Sequence, residues 1–217
     1  MECISISHKT AGADLRQRFA FAEQEAEAFV RELTDRREIG QAVLLSTCNR
    51  TELYVQGETG SFGILEELLA RKSEIDAERI RETARRYEGK SAVRHLFSVT
   101  CGMDSMVVGE DEILGQVRNA YQRSANCAAA GYEIHAVFQA ALACAKRIKT
   151  ETMISKTSVS VATLAAAEVF HFRPGEKTVL LIGSSGQIGG TILKNLLSRK
   201  EIRVLATTRT HRGLYQD

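Results

Sequence analysis

Cys48 stands in the run LSTCNRTELYV (residues 45–55), between an apolar stretch and an alternating one, with Thr47, Asn49 and Arg50 beside it. A cysteine there is either a small buried hydrophobe or a nucleophile. Free cysteine is among the most buried residue types, which favours packing. The polar TCNRTE setting favours chemistry, because a guanidinium two positions away would support a thiolate. His95, in RHLF, is the candidate acid or base, although a lone histidine in a helical stretch is more often a packed side chain. Cys101 is a competing thiol. His8, in SHKT, is a second polar contributor or a plain loop residue. A thiolate with a proton carrier nearby would act as a nucleophile.

A second chemical signal is the turn GSSGQIGG after the apolar run TVLLI. Its glycines, Gly183, Gly186, Gly189 and Gly190, follow G-x-x-G-x-x-G, with Ser185 where G-x-G-x-x-G has its second glycine. A strand before it and a helix after it would let Gly183, Ser184, Ser185, Gly186, Gln187 and Ile188 cradle a phosphate. A tight turn that binds nothing is the alternative. No acid closes the next strand. Thr207, Thr208 and Arg209 stand there, which suits the 2′-phosphate of NADP better than the ribose hydroxyls of NAD. The residues after Glu176 hold too little sheet for a whole dinucleotide.

The elements that must position these residues follow from periodicity. ECISIS (2–7), AVLLS (42–46) and ELYVQ (52–56) read as strands, the last with Leu53 and Val55 on one face. Residues 23–38 place Ala26, Phe29, Val30 and Leu33 on a helical stripe, GETGS (57–61) is a turn, and helical repeats run across 62–86. Further helical stripes are Ile113, Leu114, Val117, Tyr121 and then Ile134, Val137, Phe138, Ala141, Ala145, Ile148. Another helix over 158–170 stops near Pro174 and Gly175. This is an α+β pattern around one small sheet. TVLLI, the glycine turn, the helix bearing Ile188, Ile192 and Leu196, and IRVLATT (202–208) then form the first half of a nucleotide-binding β-α-β unit.

Bulk properties set limits. The 217 residues suffice for a sizeable core without metal or disulfide. A net charge of +2 excludes a strongly basic tail but not a local patch. Five cysteines without a CxxC pair argue against a disulfide framework, and with no signal-like amino terminus they imply a reducing, cytoplasmic setting. No apolar run is long enough for a membrane helix.

SISHKTAG, LSTCNRTELYV, HLFSVTCGMDSMVVGEDEILGQVR and AKRIKTET, in this order, closely resemble glutamyl-tRNA reductase. The likeness is specific over residues 1–170 and looser to about 210. It implies an α+β N-terminal catalytic domain over 1–150, then over 151–217 a linker helix and a partial, truncated Rossmann-like NADP-binding domain. Family members reduce the glutamyl group of glutamyl-tRNA(Glu) to glutamate-1-semialdehyde with NADPH, through a cysteine thioester, at the first step of five-carbon tetrapyrrole synthesis. They are V-shaped homodimers with a C-terminal dimerisation domain, and glutamate-1-semialdehyde aminomutase is a candidate partner.

By resemblance, Cys48 is the nucleophile and His95 matters for activity. Thr47, Asn49, Arg50, Ser105, Glu110, Asp111, Glu112 and Gln116 line the glutamate site, with Arg50 gripping the side-chain carboxylate. Residues 183–188 and Arg209 begin the NADPH site. Arg147 and Lys149 are candidate tRNA contacts.

The sequence also departs from the family pattern. Asp111 and Glu112 stand where proline and glutamine are usual, Cys101 where a small residue is, Ser185 where glycine is, and Thr208-Arg209 where asparagine-arginine is. The expectation is a chain that transfers glutamate to Cys48 but reduces poorly alone. The alternative is a shortened, non-catalytic relative that regulates the pathway by binding tRNA or haem, the latter through Cys3 or His8.

Overall fold

The computed structural model of the protein describes residues 1–57, 60–152, 154 and 161–207. It divides into two compact units, Met1–Thr157 and Ser158–Asp217.

The first unit contains, in chain order, β1 (Glu2–Ser7), α1 (Ala13–Arg18), α2 (Glu23–Thr34), β2 (Ile39–Ser46), β3 (Arg50–Gly57), α3 (Phe62–Ser73), α4 (Ala77–Thr83), β4 (Arg85–Glu88), α5 (Lys90–Thr100), α6 (Glu112–Asn126) and α7 (Tyr132–Thr152). The four strands form one antiparallel sheet in the order β2-β3-β1-β4. In register, Ser5 faces Glu52 and Ser7 faces Arg50.

Successive side chains of a strand point to opposite faces. Ile4, Ile6, Leu44, Leu53 and Val55 therefore pack with Phe29 and Leu33 of α2 and Leu65 and Leu68 of α3. Cys3, Val43, Leu45 and Tyr54 pack on the other face with Leu96 of α5, Val117 of α6 and Phe138 of α7. Both faces are covered, so β1 is buried along its whole length. Burying each large aliphatic or aromatic side chain stabilises the fold by about 1.5–3 kcal/mol.

Two elements differ from the sequence reading. The helical repeats expected across 62–86 resolve into α3, α4 and the edge strand β4. Glu74, in the left-handed region at φ 54°, stops α3, and the residues of RRYE hydrogen-bond to the free edge of β1. That pairing is a tertiary effect with no signature in the RRYE pattern. Helix α1 went unread because it buries no residue and so has no apolar stripe.

In the second unit, α8 (Val161–His171) precedes β5 (Lys177–Ile182), α9 (Gln187–Leu197) and β6 (Ile202–Thr207). β5 and β6 are parallel, with Lys177 opposite Ile202 and Ile182 opposite Thr207, and α9 joins them. Ala166, Leu196 and Ile202 form its small core with Val179, Ile192 and Val204. Residues 158–160 of the expected helix, Thr208 and Arg209 lie outside the described residues. Among the described residues no helix is long and apolar enough to cross a membrane.

Candidate active site

Cys48 sits at the tip of the turn between β2 and β3. The turn is held by its own threonine, as short hydroxyl side chains do when they bond the backbone two or three residues on. Thr47 Oγ1 accepts from the N–H groups of Asn49 and Arg50, each at 3.1 Å. Thr47 N donates to Arg50 O at 2.8 Å, and His8 N, just beyond β1, donates to Asn49 O at 2.9 Å. From α1, the Arg16 guanidinium donates to Ala11 O at 2.7 Å and to the carbonyl of Cys48 at 3.4 Å. The backbone is thus braced from three sides while the cysteine is exposed.

Behind the turn lies a buried charge network. Arg50, Glu52 and Tyr54 alternate onto one face of β3. Glu52, with no exposed surface, accepts four hydrogen bonds. Its Oε1 receives Ser5 Oγ at 2.8 Å, Arg50 Nη1 at 2.9 Å and His95 Nε2 at 2.9 Å, and its Oε2 receives the Tyr54 hydroxyl at 2.6 Å. Burial alone would push this carboxyl up. The hydrogen bond and charge of His95, the charge of Arg50 and the Tyr54 hydroxyl outweigh it and hold Glu52 down at about 2. A carboxylate can only accept, so His95 Nε2 carries its hydrogen here. Tyr87 of β4 stacks on the imidazole at 4.0 Å and 10°, fixing the ring from its face.

Arg50 is 2% exposed. Besides Glu52, its Nη1 donates to Asp104 Oδ2 at 3.1 Å and its Nη2 to Asp104 O at 2.6 Å. Burial would lower its pKa, but Glu52 and Asp104 raise it, so the guanidinium stays charged. Lys9 pairs with the other oxygen of Asp104. Asp104 reaches this place because α5 ends in a tight reversal. Gly102, at φ 75°, donates to Val99 O, and a Cβ there would press on Gly109.

The sequence-derived residues fall into groups. Thr47, Cys48, Asn49 and Arg50 share the turn, and His95 joins them through Glu52. No hydrogen bond links His95 to Cys48 among the described residues. Both terminal nitrogens of Arg50 have internal partners, Glu52 and Asp104. Ser105 is buried just beyond Asp104, and Glu110 and Gln116 are half-buried. Asp111 and Glu112 are exposed at the start of α6. The extra charge at Asp111 is answered by Lys149, whose Nζ donates to Asp111 Oδ1 at 2.8 Å and to the carbonyls of Glu110 and Gly109 at 2.6 and 3.2 Å.

Lys149 is committed to that loop, and the exposed Arg147 pairs with Glu151 at 3.4 Å. Two further expectations are corrected. Cys101 is buried, and burial together with Cys144 pushes its thiol up to about 11, so it holds no thiolate near neutrality. Cys3 is wholly buried against the sheet, with its thiol pushed well above the ordinary range by burial and Glu52, and cannot reach a haem iron. Burial and Arg50 push His8 down, and its Nδ1 has no hydrogen-bond partner among the described residues.

In the second unit, Gly183 takes φ 83°, closed to most side chains. The N–H groups of Gly183 and Ser184 donate to Thr207 O at 3.2 and 3.1 Å, tying the turn to β6. Ser184 is buried and spends its hydroxyl on the same carbonyl. Gly186 caps α9, Gln187 begins it, and Ser185, Gly186 and Ile188 are exposed. A Cβ at Gly189 would collide with the Gly183 carbonyl, so the helix packs on the turn only with glycine there.

Sequence reasoning missed Glu52, Asp104, Tyr87, Lys9 and Arg16. A signal for Glu52 was present, because Arg50, Glu52 and Tyr54 recur at the period of two that places them on one strand face.

Comparisons with known proteins identify the family. The family profile described as glutamyl-tRNAGlu reductase, N-terminal domain, matches residues 4–152. The glutamyl-tRNA reductase of Geobacter sulfurreducens is 36% identical over 213 residues, covering 96% of this chain and 49% of that protein. That of Geobacter metallireducens is 35% identical over 212 residues, with the same 96% and 49%. The solved structure of glutamyl-tRNA reductase from Methanopyrus kandleri superposes with a TM-score of 0.68 at 33% identity, over 96% of this chain and 49% of that one. The chain spans about half the length of the curated relatives it matches. It belongs to the glutamyl-tRNA reductase family and carries that family's N-terminal domain over residues 4–152.

Proposed function

We propose that the chain takes the glutamyl group of glutamyl-tRNA(Glu) onto Cys48 as a thioester. This is the acyl-transfer half of the NADPH-dependent reduction to glutamate-1-semialdehyde, which opens tetrapyrrole (porphyrin and haem) synthesis. The observation that carries the reading is an exposed thiol on a braced turn, backed by the buried Arg50–Glu52–His95 network.

The Cys48 sulfur attacks the ester carbonyl carbon, forming a C–S bond. The C–O bond to the ribose then breaks, and the ribose oxygen leaves with the proton the thiol gave up. An aminoacyl ester is a good acyl donor, so modest acid help suffices. His95 Nε2 is held by Glu52, which leaves Nδ1 to pass a proton. The ring borders a cavity of 460 Å³ with Tyr87 and Asp104. Arg50 binds the side-chain carboxylate of the glutamyl group by exchanging its Asp104 contact, in the two-pronged pairing a guanidinium favours, while Lys9 keeps Asp104. Thr47 and Asn49 shape the turn, and Ser105, Glu110, Asp111, Glu112 and Gln116 are proposed to complete the substrate surroundings.

The strand–turn–helix of the second unit fits a phosphate of NADPH. Gly183 opens the turn, and the α9 amino terminus offers backbone N–H groups that a helix leaves unpaired. Residues 183–188 would hold the cofactor, in a Rossmann-like arrangement. When bound, NADPH supplies the hydride that releases the aldehyde.

Following glutamyl-tRNA with and without NADPH tests the proposal. Loss of the aminoacyl bond is expected to require Cys48, and aldehyde is expected only with NADPH. Deacylation by Cys48→Ala at the unsubstituted rate would contradict it.

A further inference from the structure

Helix α5 carries a stripe that acyl transfer leaves largely unused. Lys90, Ser91, Arg94, His95 and Ser98 recur at the spacing of one helical face and, with Tyr87 and Asp104, line the 460 Å³ cavity. The inner end is His95 and Asp104, which bond Glu52 and Arg50 behind the Cys48 turn. The outer end is Lys90 and Arg94, both exposed. From Lys90 to Ser98 the stripe runs about 12 Å at the helical rise. On the other flank of the same two cations, Met1, Val93, Phe97 and Val137 wall a second, mainly apolar hollow of 600 Å³.

Several cations of this unit are spent on carboxylates, and those of this ridge are not. Arg31, Arg71, Arg79, Arg81, Arg147 and Lys149 each hold a carboxylate. Lys90 and Arg94 are in no ion pair among the described residues, so an incoming phosphate breaks no salt bridge there. The nearby acids are weak competitors. Asp104 is neutralised by Lys9 and Arg50, and Glu88 is one exposed carboxylate beside two cations.

We infer that this stripe is the track for the single-stranded 3′ end of the tRNA, with Lys90 and Arg94 on its phosphates and the Phe97 hollow receiving a base. The inference rests on the glutamyl-tRNA reading of Cys48. A cationic ridge beside an aromatic wall is how single strands are held without base readout, and the path ends at His95 and Asp104, whose partners Glu52 and Arg50 lie on the strand that begins two residues after Cys48.

The test is binding of uncharged tRNA(Glu) to the full chain as salt is raised. The comparison is unsubstituted protein, the double variant K90A/R94A, the charge-keeping K90R/R94K, and R147A as a control cation. K90A/R94A is expected to bind about tenfold more weakly at low salt, with a log–log salt slope shallower by about 1.4, the value for two single-strand phosphates. K90R/R94K restores binding, and R147A behaves as unsubstituted protein. Unchanged affinity and slope in K90A/R94A, an equal loss in R147A, or no tRNA binding by the unsubstituted chain would overturn the track. Failure of the Cys48 reading looks different: tRNA binds through Lys90 and Arg94, but no glutamate reaches the protein.

Discussion

Glu52 Oε1 lies 2.9 Å from His95 Nε2, with both groups buried beneath the sheet-covering helices. This contact ties the histidine of α5 to the strand that starts at the Cys48 turn. It makes Glu52 a positioning residue for His95 and Arg50 together.

Replacing Glu52 by glutamine keeps the shape and removes the charge that balances buried Arg50. Breaking one partner out of a buried ion pair costs about 3–5 kcal/mol. A fall of that size in urea-derived stability is expected for Glu52→Gln. A loss below about 1 kcal/mol would mean that Asp104 alone satisfies Arg50.

The same network sets an acid limit. Glu52 is held at about 2 against an ordinary value of 4.5, so its folded form prefers to be ionised. Its stabilisation is complete above 4.5 and is lost as the pH falls towards 2. Asp104, where Lys9 and Arg50 outweigh the upward effect of burial, acts in the same direction. The urea midpoint should drop across this interval, and drop less in Glu52→Gln. Equal pH profiles for the two proteins would contradict the assignment.

The Cys48 hairpin was legible, because AVLLS and ELYVQ have strand patterns on either side of a polar turn. So was the β5–α9–β6 succession, marked by an apolar strand, glycines and a helical stripe. The network behind Cys48 was not. Leu53 and Val55 announce one buried face of β3, but nothing local says that the opposite face is also covered. The helices that cover it come from residues 90–152. Asp104 lies 54 residues from Arg50 along the chain, and β4 exists only because β1 has an edge to offer. These are long-range facts, and periodicity reports local ones.

Thr47 offers a finer test of the turn. Its Oγ1 accepts two backbone N–H groups at 3.1 Å, and valine keeps the shape without the acceptor. Leaving those groups unsatisfied costs about 1–3 kcal/mol. Thr47→Val should lose that much stability and slow glutamyl transfer, while Thr47→Ser should retain both. Equal behaviour of valine and serine variants would show that the turn holds without the hydroxyl.

Thiol reactivity should follow exposure. Near neutral pH, iodoacetamide is expected to label Cys48 in the folded protein and to spare Cys3 and Cys101, which are buried with raised thiol pKa values. Peptide mapping reads the outcome. Labelling of Cys101 as fast as Cys48 would contradict the structure around α5.

The most direct measurement is intact-mass analysis of the chain after mixing with glutamyl-tRNA(Glu), beside Cys48→Ala. The account predicts a mass gain of one glutamyl group, removed by hydroxylamine and absent from the alanine variant. A folded chain that gains no mass from intact glutamyl-tRNA, or an alanine variant that gains it equally, would contradict the claim that Cys48 is the acyl acceptor.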